Sequence, residues 1–211
     1  MSLFLGKIHY WLFNKIIWFE ALEEEIINLA KEEGIDVDSL SIEVNNKYGE
    51  KLPNAPLEDL IDTSNIHGWL QERIHSAEYR FATWTLKVLE KEDGKEKLEK
   101  VFINQGIKAA NEVIDSGITL NNAIEIYNEI NNYILDGMPC DRVNEFIEQE
   151  ENKVVWKRRV CVHKEIWNTV GIDVNIFYNL RDLWIKAFIN KINNEYNYCF
   201  LGNDEYSIER I

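Results

Sequence analysis

Apolar residues recur every three or four positions through most of the first two thirds of the chain, which is the period of an amphipathic α-helix. The period predicts three long helices, from about Leu5 to Glu33, from Ser64 or Asn65 to about Val88, and from Lys95 to Asp115. Thr119 can cap a fourth helix, whose apolar positions continue to Ile134. This part of the chain is therefore predicted to form a body of packed helices.

The pattern changes after Asn152, where the segment KVVWKRRVCVH is rich in β-branched residues and lacks a helical period. We predict a strand over residues 153–163, because this composition favours a pleated sheet. A helix capped by Asp173 follows, and the tail NYCFLGNDEYSIERI alternates around a Gly-Asn-Asp turn, which is typical of a terminal hairpin. The sheet is thus predicted to be confined to residues after about Lys153.

Together these elements predict a mainly α protein of the α+β class, with a multi-helix body and a small C-terminal antiparallel sheet. A length of 211 residues suits one compact domain over residues 1–211. Within it we expect a helical body over residues 1–135 and a small α+β lobe over residues 136–211.

Composition narrows the classes of partner. The 37 acidic and 23 basic side chains give a formal charge of −14, which leaves no basic surface for nucleic acid.

The apolar N-terminal stretch is interrupted by Lys7, His9, Asn14 and Lys15 and has no cleavage site, so it is predicted to be neither a signal peptide nor a membrane span. Three cysteines without regular spacing describe no disulfide framework. We therefore expect a soluble cytoplasmic protein.

Cys140 is a candidate nucleophile. Pro139 suits the first turn of a new helix, which would place Cys140 at a helix N-terminus, where free N–H groups and nearby Arg142 favour a thiolate. Asp141 works against the thiolate, because it competes for the same N–H donors. The alternative is that Cys140 is a small buried apolar residue at a tight turn and that Asp141 is the cap.

One face of the predicted strand carries a second group of candidates. Alternation places Arg159, Cys161 and His163 on this face, while Arg158 is a misfit on the apolar face. The group suits the binding of an anionic small molecule, a thiol and imidazole pair, or two metal ligands. The alternative is a solvated strand face whose basic side chains cover apolar surface with their stems.

Two more residues are candidates for ligand contact. His67 lies beside the apolar positions of the second long helix, on a polar stripe with Glu78 that either lines a pocket or marks the edge of burial. Trp167 is the aromatic candidate in the amphipathic segment HKEIWNTVG.

Metal and cofactor signals are absent from the sequence. Glu72 and His75 have the ExxH spacing of di-iron bundles, but the chain has no second ExxH and no CxxC. We expect no metal site and no cofactor.

The last third of the chain is predicted to contain four elements in succession. They are a strand with Cys161 and His163, the connection HKEIWNTVG, a helix, and a closing strand entered through Gly202. This order resembles the C-terminal part of the L-2-amino-thiazoline-4-carboxylate hydrolase-like and vinyl-reductase-type ligand-binding domains. The resemblance implies a helical body with a small α+β lobe around an organic ligand. Those families tend to carry a cysteine in the closing strand, where this chain has Tyr206, and the resemblance assigns no catalytic residue here.

Three functions remain open from the sequence. The first is binding or sensing of a small organic acid or aromatic ligand, with Arg159 and His163 fixing its acidic group and Arg142, Cys161, Trp167 and His67 as further contacts. The second is a thiol-dependent hydrolase that uses Cys140 or Cys161 as nucleophile and His163 as general base. The third is a non-catalytic interaction protein that dimerises through its aromatic N-terminal helix.

Overall fold

A computed structural model describes residues 5–211 and confirms a mainly helical fold with a small C-terminal antiparallel sheet. The α-helices are α1 (Lys7–Glu32), α2 (Val37–Tyr48), α3 (Leu57–Leu60), α4 (Ile66–Leu89), α5 (Gly94–Asp115), α6 (Ala123–Ile130), α7 (Lys164–Val170) and α8 (Val174–Ile192). The strands are β1 (Asn144–Glu150), β2 (Lys153–Arg158), β3 (Tyr196–Gly202) and β4 (Glu205–Arg210).

These elements group into two compact units. Unit 1 comprises the residues up to Leu98 together with His163–Asp173, and unit 2 comprises Glu99–Val162 and Val174–Ile211. The expected lobe over residues 136–211 is therefore divided, because α7 belongs to unit 1. A single compact domain over residues 1–211 stays a prediction.

Unit 1 is built on the pairing of α1 with α4, against which α2 and α7 also pack. Of the two candidate caps for the second long helix, Asn65 is the cap and accepts a hydrogen bond from the backbone of Gly68, while Asp36 caps α2 by accepting one from Ser39. The apolar seam of α4 is buried from Leu70 to Val88. It forms the core of this unit.

Unit 2 packs α6 and α8 against a sheet with the strand order β1-β2-β4-β3, in which every neighbouring pair is antiparallel. The predicted terminal hairpin is present, with Asn203 and Asp204 both at positive φ in its two-residue turn. Two residues with positive φ produce the turn twist that matches paired strands. This hairpin places β4 beside β2 in the middle of the sheet.

The sheet departs from the sequence prediction in two ways. It begins at Asn144 rather than after Lys153, because β1 forms a hairpin with β2. The strand predicted over residues 153–163 ends at Arg158, after which the backbone N–H of Arg159 bonds to Val143 instead of to a strand partner. Cys161 and His163 therefore do not share a strand face.

Two helical predictions also need correction. The fourth helix begins at Ala123 with Asn122 as its cap, because the Asn122 side chain accepts the N–H of Glu125. The helix predicted to start at Pro139 is a single 3-10 turn of three residues, after which the chain enters β1.

Candidate functional site

A cleft in unit 2 lies between the sheet, α8 and the end of α6, and it is partly open to solvent. Four aromatic residues line this aromatic cleft, namely Tyr127, Trp156, Tyr198 and Tyr206. The remaining lining residues are Ile130, Asn131, Ile134, Asp136, Asn144, Arg181 and Ile185. Apolar walls with a few polar groups are typical of small-molecule sites.

Strand register explains why the rings gather there. Phe146 pairs with Trp156, Trp156 with Tyr206, and Tyr206 with Phe200, so one aromatic row crosses all four strands. Paired residues of neighbouring strands point to the same face of a sheet. Trp156 and Tyr206 stack with their ring centroids 5.7 Å apart, and Tyr127 from α6 meets Trp156 edge-on at 4.9 Å.

Arg181 is the cation in the wall of the cleft. Its side chain is only 11% exposed, and its Nη1 donates to Asp136 Oδ1 at 3.0 Å. Burial alone would lower the pKa of Arg181, but the Asp136 carboxylate and the neighbouring phenols of Tyr178 and Tyr198 raise it. The guanidinium is therefore charged, and within residues 5–211 its buried Nε has no hydrogen-bond acceptor.

Asp182 and Tyr198 form a second polar pair beside the cleft. The Tyr198 hydroxyl donates to Asp182 Oδ1 at 2.6 Å. Burial raises the pKa of the Asp182 carboxyl, and the hydrogen bond from Tyr198 opposes that shift. Burial also raises the pKa of Tyr198, so its hydroxyl keeps its proton and remains a donor.

Arg158 is the last residue of β2 and lies near the rings of Tyr178 and of the cleft residue Tyr206. Its guanidinium carbon is 3.5 Å from the centroid of the Tyr178 ring, and its Nη2 is paired with Asp204. Stacking of a guanidinium on an aromatic ring is favourable because the ring face is electronegative. Its buried Nη1 also has no acceptor in the described part of the chain.

No family model, curated protein or solved structure matches this chain. The geometry of the site therefore carries the functional argument, and the resemblance noted from the order of elements stays a prediction.

Within residues 5–211, none of the helices combines the length and the hydropathy of a membrane span. No group of three or more His, Cys, Asp or Glu side chains there is arranged to hold a metal ion.

Cys140 and Arg142 lie on the surface of unit 2. Cys140 is exposed in the 3-10 turn rather than buried, and Asp141 Oδ2 accepts the backbone N–H of Met138, the residue before the turn, at 2.8 Å. Arg142 is exposed and has a φ of 48°, a left-handed conformation. A three-residue turn offers few aligned peptide dipoles, so the helix-terminus argument for a Cys140 thiolate loses its basis.

Cys161 and Arg159 lie apart from the cleft lining. The Cys161 thiol is 3.1 Å from the Tyr178 hydroxyl, and Arg159 Nε is 3.3 Å from Glu145 in an exposed ion pair. Exposed pairs of this kind contribute little free energy. Sequence alternation predicted Arg159 as the ligand-binding arginine, but the buried neighbour is Arg158.

His163 and Trp167 both contact the carboxylate of Glu78 in unit 1. Glu78 Oε1 accepts the indole N–H of Trp167 at 3.0 Å and lies 2.7 Å from His163 Nδ1, and all three side chains are buried. These bonds attach α7 to α4. Cys140 belongs to unit 2, and its use with His163 in hydrolysis stays a prediction.

His67 is exposed near the start of α4, with its ring 5.9 Å from that of His9. The stripe on which it was placed is the boundary of burial at this end of the helix, whereas Glu78 further along is buried. Dimerisation through the N-terminal helix stays a prediction.

Unit 1 also contains a buried arginine, which we call the Arg80 cluster with its partners Glu20, Glu23 and Ser76. Arg80 is 1% exposed, and it donates through Nε to Glu23 at 3.0 Å, through Nη2 to Glu20 at 2.5 Å and through Nη1 to Ser76 at 2.7 Å. The backbone carbonyls of residues 49–50 accept further bonds from Nη1. Every nitrogen of this guanidinium therefore has an acceptor.

Proposed function

We propose that unit 2 binds a small organic acid with an aromatic ring, and that Arg181 contacts its acidic group within the aromatic cleft. The observation that carries this proposal is the charged Arg181 in a wall of aromatic rings, with a buried Nε for which residues 5–211 provide no acceptor. A buried donor without an acceptor costs about 1–3 kcal/mol, which a ligand that supplies the acceptor regains after a small movement of the side chain.

The aromatic lining of the cleft supports a ligand that carries a ring. Trp156, Tyr198 and Tyr206 present ring surface there, and offset stacking or edge contacts with a ligand ring add to the free energy of burial.

The donors of Arg181 support an acid rather than a neutral ligand. A guanidinium has five N–H donors in a fixed plane, of which Asp136 occupies part. The same geometry matches a carboxylate, which accepts two bonds from one guanidinium. Asn131 and Asn144 line the cleft as well and offer polar contacts next to the acidic group.

We place this binding function in the cytoplasm, as a receptor or sensor. What supports the location is that all three cysteines are free thiols, as a reducing compartment would keep them. The Tyr198 hydroxyl and the Asp182 carboxyl bond to each other, Asp136 pairs with Arg181, and we propose no reaction there.

The test is calorimetric titration with phenylacetate and with its neutral isostere phenylacetamide. We expect the wild-type protein to bind phenylacetate at least tenfold more tightly, since a charge-assisted bond is worth about 1.4 kcal/mol or more. The double variant Arg181→Met/Asp136→Asn removes both charges without leaving one unpaired, and it should bind the acid and the amide equally.

The matched control is Arg159→Met/Glu145→Gln, which removes an exposed arginine and carboxylate pair from the same unit. This control should retain the preference for the acid. Equal binding of acid and amide by the wild type, or the same loss in the control, would contradict the proposal.

A further inference from the structure

Arg158 and Arg181 lie on the same aromatic ring. Their guanidinium carbons are 3.5 Å and 4.7 Å from the centroid of Tyr178, and Arg158 is also 5.9 Å from the centroid of the cleft residue Tyr206. The Arg158 side chain is only 10% exposed. We call these two residues the arginine pair.

Both cations act on the same neighbouring groups. Burial raises the pKa of the Tyr178 and Tyr206 phenols and of the Asp182 carboxyl, and both guanidinium groups oppose each of these shifts. The region next to Tyr206 therefore feels two positive charges at once, although Arg181 alone lines the cleft.

The carboxylates that face the arginine pair differ in how firmly they are held. Asp136 is 10% exposed, and it accepts bonds from Arg181 and from Asn144. Asp204 is half exposed at the tip of the terminal hairpin, where it pairs with Arg158 Nη2. A half-exposed carboxylate can return to water at little cost, so Asp204 is the partner that a ligand displaces most readily.

Each arginine of the pair also retains one buried N–H without an acceptor within residues 5–211. A ligand with one carboxylate, bound at Arg181, would supply an acceptor for the Arg181 donor only. Arg158 would then have Asp204 as its only carboxylate partner among the described residues. A head group with a second negative charge offers acceptors for both arginines.

Resting on the proposed function, we propose that the ligand of the aromatic cleft has a dianionic head group, which Arg181 and Arg158 share after the Asp204 side chain moves into solvent. The chemical class is an aromatic compound with either two neighbouring carboxylates or one phosphoryl group. Arg158 then determines specificity for the second charge, and Asp204 competes with the ligand for it.

The experiment compares three probes by calorimetric titration at pH 7.5, namely phenylacetate as the monoanion and phenylsuccinate and phenyl phosphate as the two kinds of dianion. We expect the wild type to bind at least one dianion about tenfold more tightly than phenylacetate, which corresponds to about 1.4 kcal/mol. The better of the two dianions identifies the head group as dicarboxylate or phosphoryl.

Two variants assign the effect to Arg158. Arg158→Met should reduce the dianion advantage to about one while phenylacetate still binds, and Asp204→Asn should increase the advantage severalfold because it removes the competitor. Asn is favoured at a positive φ, so Asp204→Asn keeps the hairpin turn. Arg159→Met, which removes the exposed neighbouring arginine, should leave the advantage unchanged.

The outcomes separate this inference from the proposed function. The inference is overturned if the dianion advantage persists in Arg158→Met or does not grow in Asp204→Asn. The proposed function still holds in that case if phenylacetate binding depends on Arg181. Absence of binding of all three probes to the wild type overturns both. Should Arg158→Met fail to fold, Asp204→Asn decides the matter, since it leaves both arginines in place.

Discussion

Arg80 in unit 1 and Arg181 in unit 2 both lie on helices and are both paired with carboxylates, yet their hydrogen-bonding states differ. Arg80 donates from all three nitrogens to two glutamates, a serine and backbone carbonyls. Arg181 donates to Asp136, and its buried Nε has no acceptor in the described residues. A saturated cation holds the fold together, whereas an unsaturated one beside a cleft retains capacity for a ligand.

The largest expected effect is on the saturated cluster. Arg80→Met should lower the free energy of unfolding by about 3–5 kcal/mol, because it leaves Glu20 and Glu23 buried without their cation. Urea titration followed by circular dichroism measures the change. The control Arg73→Met removes an ion pair to the exposed Glu72 and should cost less than about 1 kcal/mol. Similar losses in both variants would contradict the structural role of the Arg80 cluster.

The second effect is a pH dependence that also belongs to unit 1. Burial raises the pKa of Glu23 to about 7 from 4.5, against the opposing field of Arg80, and burial raises the pKa of Glu20 in the same direction. The folded state therefore holds a proton on Glu23 between pH 4.5 and 7 that the unfolded chain releases.

The extra proton on Glu23 stabilises the folded state by about 3 kcal/mol. This contribution to the free energy of unfolding is complete below pH 4.5 and is lost as the pH rises through about 7. Urea titrations across this range should show the decline in the wild type and a flatter profile in Glu23→Gln. Glu24→Gln changes a more exposed carboxylate on the same helix and should leave the decline in place. A Glu23→Gln profile as steep as that of the wild type would exclude Glu23 as its source.

The third prediction concerns stability at the cleft. Arg181→Met/Asp136→Asn should lower the free energy of unfolding by less than about 1.5 kcal/mol, because replacing both members of a buried pair leaves no unpaired charge. Arg181→Met alone should cost more, since Asp136 then stays buried without its cation. The comparison between the units fails if the double variant loses as much stability as Arg80→Met.

The smallest expected effect comes from the phenol beside the cleft. Tyr198→Phe removes the hydroxyl that donates to Asp182 and should cost about 1 kcal/mol of unfolding free energy. The matched control is Tyr10→Phe, which removes a bond of the same kind between Tyr10 and Glu58 at the surface of unit 1. Its cost should be smaller, because water replaces an exposed partner. If the two variants lose the same free energy of unfolding, burial of the bond between Tyr198 and Asp182 does not strengthen it.

Periodicity predicted the helices well because they bury continuous apolar seams. The buried positions of α4 and the cap at Asn65 follow from residues three or four apart, which a sequence displays directly. β1 was missed for the opposite reason, because NEFIEQE contains three glutamates and is a strand only through its pairing with β2. Local composition does not contain that partner.

The residues of the candidate site were harder to predict from the sequence than the fold. Because Val160 and Val162 are β-branched, the predicted strand extends past its real end. The prediction therefore assigns Arg159 and His163 to the binding face instead of Arg158. The signal that was present is the misfit of Arg158 on an apolar strand face, since a cation at such a position needs a buried partner. Arg181 gave no comparable signal, because Asp136 lies far from it in sequence.

The most direct test of binding in the aromatic cleft is a crystal structure of the protein soaked with 4-bromophenylacetate, with bromine located by its anomalous scattering. We predict a bromine peak among Trp156, Tyr198 and Tyr206, and a carboxylate within hydrogen-bonding distance of Arg181. A peak elsewhere in the protein, or a carboxylate turned away from Arg181, would contradict the assignment of this cleft as an acid-binding site.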